Sequence, residues 1–285
     1  MHRDKSAEFA FIEDFTAELS AKKLVFPTSL SATMKIRKAL SNPDISTEMV
    51  ARIIGTEPVL SAKVLHLSNS SSFNPQGRKI SDLRSATLLL GFAAIRNIAI
   101  SIGMKQLAEN KYNGNLTSQM DGLWRRSLRV AALAMVISRN FTKLSADKAM
   151  LGGLLHDIGK FYILNRAHHY RELFSSEQLL WNLIDQWHAS IGAAILEDWE
   201  IADDIRSAVL DHKDYPVSQG GRPTLIDVVA AADYLDAHFV NESIHDLDWD
   251  NVPHALKTLQ IDADNIEALM QETRTELALV LSAIG

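Results

Sequence analysis

In the segment LLHDIGK, Leu154 to Lys160, a histidine and an aspartate stand side by side at the end of an apolar run. His156 offers an imidazole nitrogen and Asp157 a carboxylate oxygen, a donor pair suited to a borderline divalent ion. Neighbouring helical residues point about 100° apart, so the pair can serve one site only where a helix meets a cavity, and Gly159 permits close backbone approach there. Further donors lie in apolar helical contexts where an unpaired polar group is costly. They are Asp185 and His188 in DQWHASIGAAIL, His212 in AVLDHKDY and Asp233 in VVAAADYLDAH. The chain has 10 histidines and no cysteine, so a transition-metal site has to be built from nitrogen and oxygen. Only His2 and His66 precede position 156, which crowds the imidazoles into the second half. The natural ions for such donors are Mn, Fe, Mg or Zn, one of them per site, acting on a bound water.

Helices must position these groups. With 285 residues, 47% hydrophobic, 22% charged and a mean hydropathy of -0.03, the chain is an ordinary folding sequence. Only 13 glycines and 7 prolines interrupt it, so long stretches of one regular structure are expected. Apolar residues recur at three to four positions, as in Met49, Val50, Ile53 and Ile54, then Leu60, Val64 and Leu67. Ser46, Pro58 and the Ser81–Asp82 pair read as helix starts, and Gly55 and Gly91 as stops. Helices are predicted at Trp124 to Asn140, Ala146 to Leu155, Ser176 to Trp187, Ile191 to Trp199, Ile201 to His212 and Leu225 to Phe239. Ala108 to Gly122 reads as a boundary loop, and Lys213 to Thr224 as a second loop. The expected class is all-α, divided into 1–110, 120–240 and a C-terminal covering part 241–285 with Ile266, Leu269, Met270, Leu277 and Leu281 at helical spacing.

A formal net charge of -6 argues against nucleic acid or an anionic membrane as partner. The segment STEMVARIIGTEPVLSAKVLHLSNS has the outline of a helix-turn-helix. Its second helix offers Lys63, His66 and Asn69 but no arginine, so a plain helical hairpin is expected. The most apolar run, Ala86 to Met104, is broken by Arg96 and Asn97 and reads as a buried helix pair. A cytoplasmic location without membrane attachment is the expectation.

LLHDIGK followed by AADYLDA resembles the HD superfamily of metal-dependent phosphohydrolases. Three N-terminal phrases narrow this to the HDOD branch, the HD-related output domain of bacterial signalling: LVFPTSLSATMKIRKALSNPDIST, EPVLSAKVLHLSNSSSF and ISDLRSATLLLGFAAIRNIAI. The resemblance covers about residues 20 to 240 and implies an N-terminal helical bundle packed against an HD-like helical bundle. It also implies a ligand set of one histidine after the linker, then His156, Asp157 and Asp233. At the first position, Trp124, Arg125, Arg126 and Ser127 stand where the family phrase W-x-H-S has its histidine, so Arg126 replaces a ligand. His188 and His212 match the extra histidines of two-metal relatives, and Lys213 stands where one more would be. Asp214 to Pro216 lacks the glycine of the phrase that marks cyclic dinucleotide hydrolysis.

An arginine is always protonated and cannot coordinate a metal. Two readings follow. In one, Arg126 pairs with Asp157 or Asp233, and the protein is a silent signalling module that binds a partner protein or small ligand. In the other, His156, Asp157, His188, His212 and Asp233 hold one divalent ion that would acidify a bound water for attack on a phosphoester, with Arg126 or Lys213 clamping the phosphate and Lys160 beside them. The missing ligands favour the first. No receiver, cyclase or phosphodiesterase segment is recognised in the chain, so a signal is expected to arrive from a partner protein or a small ligand. His168 and His169 read as a solvated surface, Trp181, Trp187 and Trp199 as core, and Ser68 to Ser72 as turn chemistry.

Overall fold

The computed structural model describes residues 4–21, 38–40, 42, 44–71, 73–109, 116–167, 170, 177–213, 222–241 and 243–284. His2, His168, His169, Ser72 and Asp214 to Pro216, all discussed above, lie outside them. Among the described residues every regular element is helical: α1 (Asp4–Ser20), α2 (Thr47–Gly55), α3 (Pro58–Ser68), α4 (Leu83–Ala108), α5 (Thr117–Phe141), α6 (Ala146–Leu155), α7 (Ile158–Ala167), α8 (Glu177–Asp198), α9 (Asp203–Asp211), α10 (Leu225–Asn241), α11 (His254–Thr258) and α12 (Ile266–Ile284). Two compact units emerge, one of Met1–Phe26 with Ala108–Thr273, the other of Pro27–Leu107 with Arg274–Gly285. This division differs from 1–110, 120–240 and 241–285 at both ends of the chain, because α1 and most of the C-terminal segment join the unit that carries the HD pair.

In the second unit the local signals act as their chemistry dictates. The Ser46 hydroxyl caps α2 by accepting from the Met49 amide at 3.2 Å, and the Asp82 carboxylate caps α4 by accepting from the Ser85 amide at 2.8 Å. Val50, Ile54, Leu60 and Val64 are buried, as a hairpin requires. Asn69, a residue a recognition helix would point at DNA, instead donates to Leu65 O at 2.8 Å and Ile80 O at 2.7 Å and accepts from the Ile80 amide at 2.9 Å. Helix α4 is long and apolar enough to cross a membrane, but 61% of its most apolar window is buried in the protein. Gly91, at φ 79°, breaks its helical geometry, and Arg96 beyond the break donates to Leu40 O at 3.1 Å.

The first unit positions the site. Helix α5 begins at Thr117, seven residues ahead of the predicted start, and overlaps the expected boundary loop. Buried Leu116, Met120 and Leu123 supply the apolar spacing that the polar residues between them conceal. Helix α8 is one helix where two were predicted; small residues around Ala189 to Gly192 mimic a break but serve close packing. A β-carbon on Gly153 would lie 2.7 Å from Val130 O, so α6 packs directly on the α5 backbone. One on Gly159 would lie 1.9 Å from His188 O, so the HD segment and α8 touch backbone to backbone. Phe11 and Phe15 of α1 pack edge-on against Tyr162 of α7 at centroid distances of 6.3 and 5.3 Å.

Gly159→Ala forces α7 away from α8, where the obstacle is rigid backbone. A loss of roughly 1–3 kcal/mol or more is expected in urea denaturation, with Gly55→Ala, whose added carbon meets only a side chain at 3.6 Å, as the milder control.

Candidate metal and ion-pair centre

His156 and Asp157 sit at the junction where α6 ends and α7 begins, which lets adjacent residues serve one centre. Both are fully buried. Asp233 comes from the middle of α10, His188 from α8, His212 from the end of α9, and Arg126 from α5. Asp185, grouped with these in the sequence, is exposed and is not brought in, since it falls just off the buried stripe of Leu183, Ile184, His188 and Ile191.

Arg126 organises one half of the centre. Its Nη1 lies 2.7 Å from His156 Nε2 and donates to Asp157 Oδ2 at 2.7 Å, while Nη2 donates to Asp233 Oδ1. A guanidinium only donates, so His156 Nε2 must accept, which leaves its Nδ1 to donate to Gly153 O at 2.7 Å. Lys213 Nζ donates to the other oxygen of Asp233 at 2.7 Å. One step outward, Arg129 donates from Nε and Nη2 to the two oxygens of Asp236, at 2.6 and 3.0 Å. That second rung escaped the sequence reading. Its signal was present as two matched i, i+3 pairs, Arg126 with Arg129 and Asp233 with Asp236, on helices that turn out to face each other.

The other half is built differently. His188 Nδ1 donates to Ile184 O and His212 Nδ1 to Val209 O, each at 2.7 Å, which fixes both rings and leaves both Nε2 atoms as acceptors. These two nitrogens and Asp157 Oδ1 are buried without a hydrogen-bond donor. One donor atom from each of the three residues lies within 4.8 Å of the others, an arrangement that fits a metal ion. Anchoring Nδ1 on a backbone carbonyl is how ligating histidines are held. Lys160 Nζ is 3.0 Å from Asp157 Oδ1 as an ion pair. The five sequence-predicted donors therefore divide: His156, Asp233 and one oxygen of Asp157 face Arg126, while His188, His212 and the other oxygen of Asp157 face one another.

The protonation equilibria follow from this geometry. Burial opposes ionisation of Asp157 and Asp233. For Asp157 the cations Lys160 and Arg126 outweigh it, and for Asp233 Arg126 and Lys213 do, so both carboxyls lie well below the usual range. Burial would also weaken the Arg126 cation, but Asp157 and Asp233 hold its pKa above the ordinary arginine value. Burial pushes the His212 imidazole down to about 3, and burial together with Lys160 pushes His188 down as well. Both rings are thus neutral at neutral pH, the form that binds metals.

The signs combine in acid. As pH falls below about 6.5 the unfolded chain protonates at His212 and His188 while the folded chain does not, and stability drops; the His212 share reaches about 5 kcal/mol near pH 3. Below about pH 4 the depressed carboxyls of Asp157 and Asp233 add to the loss. Urea midpoints measured by circular dichroism between pH 7 and 4 should fall steadily, and His212→Gln should flatten that fall. Arg126→Ala, which leaves two buried carboxylates uncompensated, should cost about 3–5 kcal/mol at pH 7.

Solved structures show the same fold. A candidate metal-dependent phosphohydrolase of Shewanella amazonensis SB2B is 24% identical with TM-score 0.71, and the match covers 96% of this chain and 99% of that one. An HDOD domain protein of unknown function from Geobacter sulfurreducens is 22% identical with TM-score 0.55, over 90% of this chain and 87% of that one. A candidate signal transduction protein of Marinobacter aquaeolei VT8 is 18% identical with TM-score 0.62, over 98% of this chain and 65% of that one. Among curated sequences, an uncharacterised protein of Treponema pallidum (strain Nichols) is 23% identical across 248 residues, or 81% of this chain. The chain spans 45% of that relative's length. The HDOD domain itself matches residues 26–215, two thirds of the sequence and all of the centre except Asp233, and on that match the chain belongs to the HDOD domain family.

Proposed function

We propose that the protein is a signal-transduction output module that works by binding a protein partner or small ligand, with its HD centre locked by Arg126 instead of open for hydrolysis. The observation that carries this reading is the guanidinium seated among His156, Asp157 and Asp233. Side chains that the family resemblance assigns to a metal are consumed by an internal cation that cannot activate water. The other cations a phosphate would need are also engaged, Lys160 by Asp157 and Lys213 by Asp233. Signalling is the role in the Marinobacter relative's name as well.

A second reading, a metal-dependent phosphohydrolase, rests on Asp157, His188 and His212. Their unpartnered atoms fit a divalent ion, and Mn, Fe, Mg or Zn bound there would supply an acidified water. In this reading Asp157 holds the ion, and Lys160, Lys213 and Arg126 would have to leave their carboxylates to meet the phosphate.

Purified protein supplied with each of the four metals should turn over neither p-nitrophenyl phosphate nor nucleotides nor cyclic dinucleotides faster than its Asp157→Asn variant. Turnover that Asp157→Asn abolishes would establish the hydrolase and reject the locked module.

A further inference from the structure

Helix α1 docks on α7 through one stripe of side chains. Phe11, Asp14, Phe15 and Glu18 stand at i, i+3, i+4 and i+7, the spacing at which one face of a helix enters a groove. Phe11 lies between two tyrosine rings, Tyr162 at 6.3 Å and Tyr170 at 5.4 Å, and Phe15 meets Tyr162 at 5.3 Å, all edge-on. Both phenylalanines are buried. The hydroxyls of the same tyrosines donate to the two carboxylates of the stripe, Tyr162 to Glu18 at 2.9 Å and Tyr170 to Asp14 at 2.5 Å. The other oxygen of Glu18 takes the Arg166 guanidinium at 2.5 Å. Among the described residues no main-chain hydrogen bond joins α1 to the rest of its unit. The two tyrosine contacts span 144 and 156 residues of sequence, and the intervening Pro27–Leu107 belongs to the other unit. A helix of 17 residues with Asp4, Glu8, Glu13, Asp14 and Glu18 against Lys5 is marginal alone in water, so docking is what keeps it helical.

We propose that the surface of Tyr162, Arg166 and Tyr170 is the docking site of a signalling partner, that the partner's element is an acidic amphipathic helix with aromatic residues at i and i+4 and carboxylates at i+3 and i+7, and that α1 fills the site in cis until such a helix displaces it. The surface reads its ligand through side chains alone, so any helix that repeats the stripe satisfies the same rings and donors. Charge sets the sign of the partner. Arg166 and both hydroxyls meet carboxylates on α1, and a basic helix would leave Arg166 facing a like charge. Because α1 is tethered to the same chain, it lowers the apparent affinity of the partner by the fraction of time the site is free, which makes it a threshold on the incoming signal. This names the partner surface for the signalling role proposed above and rests on that role.

The test uses the full chain and a fluorescein-labelled peptide of residues 4–21, followed by fluorescence anisotropy. Wild type, whose own α1 competes, should bind weakly, and a Phe15→Ala chain, with the site intact and its own α1 loosened, should bind about tenfold tighter or more. Arg166→Met added to that chain, or Phe11→Ala with Glu18→Gln in the peptide, should weaken binding about tenfold. Circular dichroism establishes that each chain is folded, and Glu18→Gln takes the place of Phe15→Ala if the latter does not fold. A folded, loosened chain that binds no better than wild type, or binding that ignores both sets of changes, overturns the site. A wild-type dimer that the peptide dissociates overturns the separate partner and gives the site to α1 of a second copy. Hydrolytic turnover would reject the locked centre and leave peptide binding untouched, whereas absent binding would reject the docking site and leave the lock, so the two fail separately.

Discussion

Two carboxylates, on Asp157 and Asp233, are buried in the interior of a helical unit, and one guanidinium between them makes that burial tolerable. Everything around the centre answers to this pairing. Helix α5 has to present Arg126 inward, so it runs through the unit with Val130, Ala131, Leu133 and Ala134 fully enclosed. Helix α6 has to end where α7 begins, so that the histidine and the aspartate emerge together. Helix α10 has to face α5 along its length, and Arg129 with Asp236 repeats the pairing one turn away. A buried ion pair of this kind is weak evidence of net stability, because desolvation offsets much of the attraction. It is stronger evidence of specificity, since any register but this one strands a charge.

The same aspartate meets opposite electrostatics on its two sides. Toward Arg126 it is saturated. Toward His188 and His212 it faces two ring nitrogens without a donor, with the Lys160 ammonium 3.0 Å from the same oxygen, and those rings have lost their basicity to burial. Here the rings are held on carbonyls of their own helices, a local arrangement that stays in place whatever happens at Arg126.

Helical class was legible because apolar residues recur at a period that strands cannot match, and the HD pair was legible because it closes an apolar run just ahead of Gly159. Arg126 was legible only through resemblance; nothing in its own neighbourhood, TrpArgArgSer, says which arginine turns inward. The structure shows Arg125 paired at the surface with Asp121 and Arg126 buried in the centre. The early turns of α5 were hidden by polar residues on the exposed face, and the continuity of α8 by the small residues that let it approach α7. Asp185 failed for a simple angular reason, since a helical stripe has an edge and three residues from His188 is enough to cross it. The Arg129 and Asp236 rung needed knowledge of which helices face each other, and one sequence does not carry that.

The contact between Gly159 and the carbonyl of His188 has one more consequence. It sets the spacing of α7 and α8 through main chain alone, so the distance between the HD segment and His188 does not depend on a side chain. Arginine codons of the CGU and CGC type become histidine codons by one nucleotide change. At position 126 that would set an imidazole beside His156, Asp157 and Asp233, so a single nucleotide separates a guanidinium from a potential metal ligand at this point of the fold.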